Sequence, residues 1–299
     1  VITRAVPTVA PRRRFLLQLP GRDRLALGVR TLVMGVLNVT PDSFSDGGES
    51  IDPSHAIDRA LSMEAEGADL IDVGGESTRP GAVPIDSEEE WRRVQPVLKG
   101  LAGHLRVPLS VDTYRAETAR RALDEGAAII NDISGLGYDP DLGNAVAARG
   151  AAIVLMHTRG RSRAMYKEAH YDDVVREVGR ELQRSVERAV GRGVAWERIL
   201  IDPGLGFAKK AAHSMAALAH LDAFAALGRP ILSGPSRKSF LTSAIGAVSP
   251  LERDWATAAA ITASVLAGAH IVRVHRVAEM VHVVRVADAI RAAAETLPS

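Results

Sequence analysis

The chain has 299 residues, of which 46% are hydrophobic and 24% charged, with 37 basic side chains against 36 acidic ones. That is enough apolar material for a large core, and the near-zero net charge gives no general attraction to nucleic acid or to an anionic membrane surface. Cysteine is absent, which excludes disulfides, thiolate metal sites and a cysteine nucleophile.

In chain order, residues 1–30 read as an N-terminal arm and a hairpin. Val1 to Pro11 is expected to be loose, and "RRR" (Arg12 to Arg14) to be a solvated basic run. "RFLLQL" and "LALGV" are two short apolar segments joined by "PGRDR", a Pro-Gly turn signal, and should close the bottom of the domain that follows. From residue 31 to 299 one domain is expected. Eight short β-rich runs recur in it: "TLVMGVLNV", "ADLIDVGGE", "PLSVDT", "AIINDIS", "AAIVLMH", "ILIDPG", "PILSGPS" and "HIVRVH". Each is followed by a stretch with helical spacing, such as "AIDRALSMEAEGA". Strand–helix alternation implies parallel βα units. Eight of them in this length fit a closed (β/α)₈ barrel, an α/β TIM-barrel fold with a short N-terminal hairpin, better than an open sheet. No G-x-G-x-x-G follows the first run. No apolar run approaches the ~18 residues of a membrane span, and no secretory pattern opens the chain, so a cytoplasmic protein without membrane or nucleic-acid partners is expected.

Alternate residues of a barrel strand point inward. In "IVRVH" the valines Val272 and Val274 share one face, and Arg273 and His275 the other. The same test groups Ser110 with Asp112, Ile129 with Asn131, Leu200 with Asp202, and Asp72 with Glu76; Asn38 ends the first run and His157 the fifth. A single Asp or Asn at a strand end usually caps a loop. So many together, at the end where barrel enzymes build their sites, point to a polar ligand at the mouth. Asp112, Asn131 and Asp202 match a flat heterocycle with an N–H/C=O edge, and Arg273 and His275 suit an anion such as phosphate. Asn38 offers a neutral oxygen for Mg²⁺ bridging to phosphate. The histidines lack the spacing of a transition-metal site. The loops "NVTPDSFSDGGES" and "GGESTRPGA" overhang the mouth and read as lids.

Taken together, "VMGVLNVTPDSFSDGG", "IDVGGESTRPGA", "SVDTYRAETARRAL", "IINDISG", "MHTRG", "IDPGLGF", "GPSRKSF" and "IVRVH" resemble the dihydropteroate synthases of folate biosynthesis, from about Thr31 to Ile290. The resemblance implies condensation of 6-hydroxymethyl-7,8-dihydropterin pyrophosphate with p-aminobenzoate, giving 7,8-dihydropteroate and pyrophosphate. It implies that Asp112, Asn131, Met156, Asp202 and Lys238 hold the pterin, that Asn38 binds Mg²⁺, and that Asn38, Arg273 and His275 hold the pyrophosphate. Phe44, Thr78, Arg79, Pro80, Phe207 and Ser239 would surround the p-aminobenzoate, with Phe44 and Asp46 closing over the site. Asp46, Arg79 and Lys238 are the catalytic residues it implies, with a homodimer as the assembly and sulfonamides as inhibitors. Ser239 would lie in the first turn of a helix favouring a carboxylate. Arg237 carries no assignment, an ion pair with a neighbouring acid accounting for it equally well. Two motifs depart from the common pattern: Ala208 stands where Gly is frequent, and Thr158 and Arg159 where Met-Gln is usual. A silent pterin-binding paralogue and a pterin-dependent methyltransferase are the rival readings. Both are disfavoured by the intact loop motifs.

Overall fold

The computed structural model describes residues 9–40, 52–77, 82–161, 167 and 169–296. An antiparallel hairpin comes first, β1 (Phe15–Leu17) with β2 (Leu25–Leu27). Eight parallel strands follow: β3 (Leu32–Asn38), β4 (Leu70–Gly74), β5 (Leu109–Asp112), β6 (Ile129–Asp132), β7 (Ala152–Met156), β8 (Ile199–Asp202), β9 (Leu232–Ser233) and β10 (Ile271–Val274). Their order is β8-β7-β6-β5-β4-β3-β10-β9. A parallel bridge from Ile201 to Ile231 joins the two edges and closes the barrel. The helices are α1 (Pro53–Ala65), α2 (Ser87–Leu101), α3 (Ala116–Asp124), α4 (Leu142–Ala148), α5 (Val174–Gly191), α6 (Ala211–Ala219), α7 (Thr242–Ile245), α8 (Asp254–Leu266) and α9 (Val277–Thr296).

Local chemistry starts several of these helices. Asp52, Asp86 and Asp173 cap α1, α2 and α5 by accepting hydrogen bonds from Ser54, Glu89 and Arg176 N–H groups. Glu88, Glu89 and Glu90 in the first turn of α2 and Lys99 in its last complement the helix dipole.

Strand alternation divides the core in two. Outward residues such as Ile71, Val73, Val111, Ile130, Ile153, Ile201, Val272 and Val274 pack against the helices. Inward residues at the N-terminal ends of the strands, among them Leu32, Leu70, Ile129, Leu200, Leu232 and Ile271, fill the interior together with Leu17 and Leu27 of the hairpin. The hairpin is therefore the floor of the barrel. The inward positions at the C-terminal ends are polar, and these form the site.

Two expectations need correction. Arg12 is not a solvated arm residue. Its side chain is nearly buried and donates to Gly28 O, Thr31 Oγ1 and Ala269 O, with an ion pair of 3.1 Å to Asp288 of α9. Ala10 is likewise pinned, its N–H bonded to Leu266 O and its carbonyl to Arg291. A charge run with unsatisfied barrel-floor acceptors beside it is a staple, which composition alone does not distinguish from a solvated stretch. Second, no long helix follows β9 directly. Ser239–Leu241 is a single 3₁₀ turn leading to the four residues of α7, which end at Gly246 with φ 83°. So short an element has little dipole to offer a carboxylate, and the exposed Ser239 stands at its start.

Candidate active site

The barrel register sets the site. Asn38 is level with Gly74, Gly74 with Asp112, and Asp112 with Asn131 across four consecutive strands. One layer deeper, Asp72 faces Ser110. Asp72 is fully buried and accepts three hydrogen bonds: from Ser110 Oγ (2.6 Å), from Asn131 Nδ2 (2.9 Å) and from Arg273 Nε (2.7 Å). A second Arg273 nitrogen reaches Asp112 Oδ2 at 3.0 Å. A buried carboxylate is tolerable only when so fully paired. Asp72 is thus the hub that orients Asn131 and Arg273, and through Arg273 it fixes Asp112.

Above this hub lies one pocket, lined by Asp112, Asn131, Ile133, Met156, Asp202, Leu205, Phe207, Gly234, Lys238 and Arg273. Five charged or amide residues from separate strands and loops converge there, beside the apolar side chains of Ile133, Met156, Leu205 and Phe207. Burial pushes the Asp202 carboxyl up to about 6, against the pull of the Gly204 N–H and of the Lys238 and Lys209 charges. Burial also raises Asp112, opposed by Arg273, and lowers the Lys238 ammonium to about 8, with Arg273 lowering it further. Desolvation is the leading cause in each case. The Lys238 ammonium sits 3.8 Å from the centroid of the Phe207 ring, a cation–π contact.

Lys238 is aimed by its neighbour. Arg237 has φ +58°, a left-handed conformation costly for a side-chain-bearing residue. It is held there by Thr257 Oγ1 accepting from its N–H (3.0 Å), by two bonds to Asp254 (2.8 and 3.0 Å), and by Arg253 donating to its carbonyl (2.9 Å). The ion-pair account of Arg237 is the one the structure supports. Such over-determined strain is typical of functional loops, and here it turns the chain so that Lys238 enters the pocket.

Other predicted residues lie around this centre. Met156 and Phe207 line the pocket. Asn38 ends β3 beside it, and His275 stands against Ser236, with Nδ1 2.9 Å from Ser236 Oγ. Neither contributes to the pocket wall itself. Phe44, Asp46, Thr78, Arg79 and Pro80 lie outside the described residues. At the base of the second loop, Arg115 pairs with Glu76 (2.5 Å) and Glu90 (3.2 Å), anchoring its start. His157 points outward, since Met156 takes the inward position, and meets Glu181 of α5 at 2.9 Å. Ala208 has φ +47° and no exposure, a conformation that glycine would adopt with less strain. Arg159, the other departure, pairs with Glu177 and Glu181. The sequence reading assigned nothing to Lys209, which is almost entirely buried beside the pocket. Its rarity was a usable signal: only five residues in the chain are lysine, and both Lys209 and Lys238 touch Phe207.

A closed eight-stranded barrel with a polar pocket at the C-terminal strand ends defines a barrel enzyme with its site in the usual place for this fold. The chain matches the pterin binding enzyme family over residues 34–275. It is 48% identical over 263 residues to dihydropteroate synthase of Mycobacterium leprae, covering 86% of this chain and 92% of that one. The solved structure of the Xanthomonas albilineans dihydropteroate synthase with 4-aminobenzoic acid superposes with a TM-score of 0.86 at 42% identity, covering 97% of this chain and all of that one (100%). The Burkholderia cenocepacia enzyme complexed with 7,8-dihydropteroate gives 0.85 at 42% identity, over 95% of this chain and 100% of its own. The chain belongs to the dihydropteroate synthase family of pterin-binding enzymes.

Proposed function

We propose that the chain condenses 6-hydroxymethyl-7,8-dihydropterin pyrophosphate with p-aminobenzoate, and that the displacement is dissociative. The observation that carries the reading is the convergence of Asp112, Asn131, Asp202, Lys238 and Arg273 on one pocket. The carboxylates and the amide match the N–H-rich edge of a pterin, and Lys238 can donate to a ring acceptor. The C–O bond to pyrophosphate breaks first, leaving a carbocation delocalised into the electron-rich dihydropterin. The aniline nitrogen then forms the C–N bond and loses its proton to solvent. Carboxylates already in place beside the ring favour the developing positive charge. Arg273 retains donors beyond those given to Asp72 and Asp112, and with His275 it faces the leaving group. The amine is nucleophilic as it stands, so no activated serine or cysteine is needed.

Among the described residues no group of three or more His, Asp or Glu is gathered to hold a metal. A lone amide oxygen, that of Asn38, fits Mg²⁺ that keeps most of its shell from water and phosphate. When bound there, Mg²⁺ would neutralise charge on the pyrophosphate.

Purified protein given both substrates and Mg²⁺ is expected to release pyrophosphate, and a sulfonamide to compete with p-aminobenzoate in the same assay. Folded protein that releases none would favour a silent pterin-binding paralogue.

The pocket's ionisation gives an independent check. Below about pH 7 the pocket carboxyls take up protons, Asp112 first and Asp202 near 6, and lose the charge that draws the ligand's N–H edge; above about pH 8 Lys238 loses the charge that strengthens its bond to the ligand. Pterin affinity should therefore peak between these values and fall toward tenfold per pH unit outside them (about 1.4 kcal/mol each). Calorimetric titration across this range would show it, and a flat profile would contradict the roles given to Asp202 and Lys238.

We propose a homodimer through the barrel helices around α7 and α8. Ile245 on α7, Leu251 on the 3₁₀ turn Pro250–Arg253 and Trp255 on α8 are 45%, 70% and 89% exposed, and an exposed tryptophan is a frequent interface anchor. Trp255→Glu is expected to yield a folded monomer by light scattering, from a dimeric parent. A parent that is itself monomeric would refute the assembly.

A further inference from the structure

We infer that Lys209 is a positioning residue for the pterin pocket: its ammonium ties the loop after β8 to the end of β7 and so sets where Asp202 and Phe207 stand. The inference rests on the reading of this pocket as a pterin site.

Lys209 precedes α6, and its side chain is among the largest that are fully buried, at 1% exposure. Lysine is seldom so deep without a carboxylate against it. Here the ammonium is instead held by loop acceptors: Gly204 O and Phe207 O, both at 3.1 Å, and His157 Nδ1 at 2.8 Å, with His157 O further away at 3.5 Å. An ammonium only donates, so His157 Nδ1 accepts and the ring carries its proton on Nε2. That proton is donated to Glu181 Oε2 at 2.9 Å. Glu181 is in turn gripped by Arg159 at 2.5 Å, and Arg159 by Glu177 at 2.8 Å. Burial drives His157 down to about 4, keeping the ring neutral as this arrangement requires. Burial alone would raise Glu181, but the bonds from His157 and Arg159 prevail and hold it at about 2. Burial also draws Lys209 down to about 7, with the Asp202 charge acting the other way.

The two carbonyls that Lys209 grips belong to the turn carrying the site. Gly204 donates its N–H to Asp202 Oδ1 at 2.7 Å, and Phe207 N–H bonds back to Gly204 O at 3.0 Å. The Phe207 ring is the one facing Lys238. The turn also has no slack toward β7: Gly204 has φ +67°, and a Cβ there would lie 2.0 Å from His157 O. Removing the ammonium leaves buried acceptors on both segments without a donor. The turn must then shift to rehydrate them, and Asp202 and Phe207 shift with it. A merely structural lysine would lower stability and leave the pocket of the folded protein unchanged.

The test is Lys209→Met, with binding of a 6-hydroxymethylpterin measured by calorimetry without amine or metal. Affinity is expected to fall about tenfold, and the KM for the pterin substrate to rise by a similar factor, while kcat at saturation changes less than about twofold. A folded variant with the affinity of the parent overturns the inference. Should the variant not fold, Glu181→Gln at the partly exposed far end carries the same test, with an expected loss of about threefold; unchanged affinity there also overturns it. A parent protein that binds no pterin instead overturns the reading of the pocket, and the inference with it.

Discussion

Asp72→Ala should lower the melting temperature by roughly 10 °C and abolish measurable pterin binding, although Asp72 does not line the pocket. The carboxylate is fully buried and is the shared acceptor of Ser110, Asn131 and Arg273. Deleting one partner of a buried ion pair strands the other, at a cost of about 3–5 kcal/mol. In a chain of this size each kcal/mol corresponds to roughly 2–4 °C. Function should suffer more than stability, because the released Arg273 retains Asp112 as its nearest anion and is free to swing across the space a ligand would fill. Asn131 also loses the acceptor that holds its amide. Asp72→Asn is expected to do less harm, since the amide oxygen can take the Oδ2 place and accept from both Asn131 and Arg273 while its NH2 donates to the Ser110 hydroxyl, leaving mainly the charge opposite Arg273 lost. Thermal melts with calorimetric pterin titrations decide it. A shift below about 2 °C with binding retained would show that Asp72 is not the hub.

The sequence carried the site well where strand periodicity governs. Arg273, Asp112, Asn131 and Asp202 were assigned inward by counting alternate residues, and the barrel holds all four on its inner face at the same end. Alternation is set by backbone geometry, so it survives without knowledge of partners. What escaped depends on register between strands or on contacts between loops. Asp72 shares its face with residues already noticed, but its role needs β4, β5, β6 and β10 brought level. Lys209 sits in a loop with no period, beside a second lysine, and only the fold reveals which of the two is buried. Arg12 was misread because a basic run near a terminus is normally solvated, and the acceptors it satisfies come from Gly28, Ala269 and α9. Ser239 was misplaced because a helical pattern in "SFLTSAIGA" does not show that Gly246 stops it after two turns. The positive φ angles of Ala208 and Arg237 were equally invisible, since neither residue type announces a left-handed conformation.

Lys238→Ala is expected to weaken pterin binding by about two orders of magnitude at neutral pH, the upper end of what one lost hydrogen bond gives, because a second effect adds to it. A bond from a charged donor contributes about 1.5–3 kcal/mol, which alone spans roughly ten- to a hundredfold. The lysine also lowers the pKa of both pocket carboxyls, and the Asp202 carboxyl already stands at about 6. Without that charge both rise further, so more of the protein at pH 7 holds a protonated, uncharged Asp202 that accepts only weakly from the ligand. The two effects separate by pH. In the variant the acid limb of the binding profile should move upward, because a carboxyl with a higher pKa regains its charge only at higher pH. The alkaline limb near pH 8, which belongs to Lys238 itself, should disappear. Loss of affinity with an unmoved acid limb would mean that Lys238 serves the ligand but does not tune the carboxyls. An alkaline limb persisting in the variant would assign that titration to another group and remove Lys238 from the ligand edge.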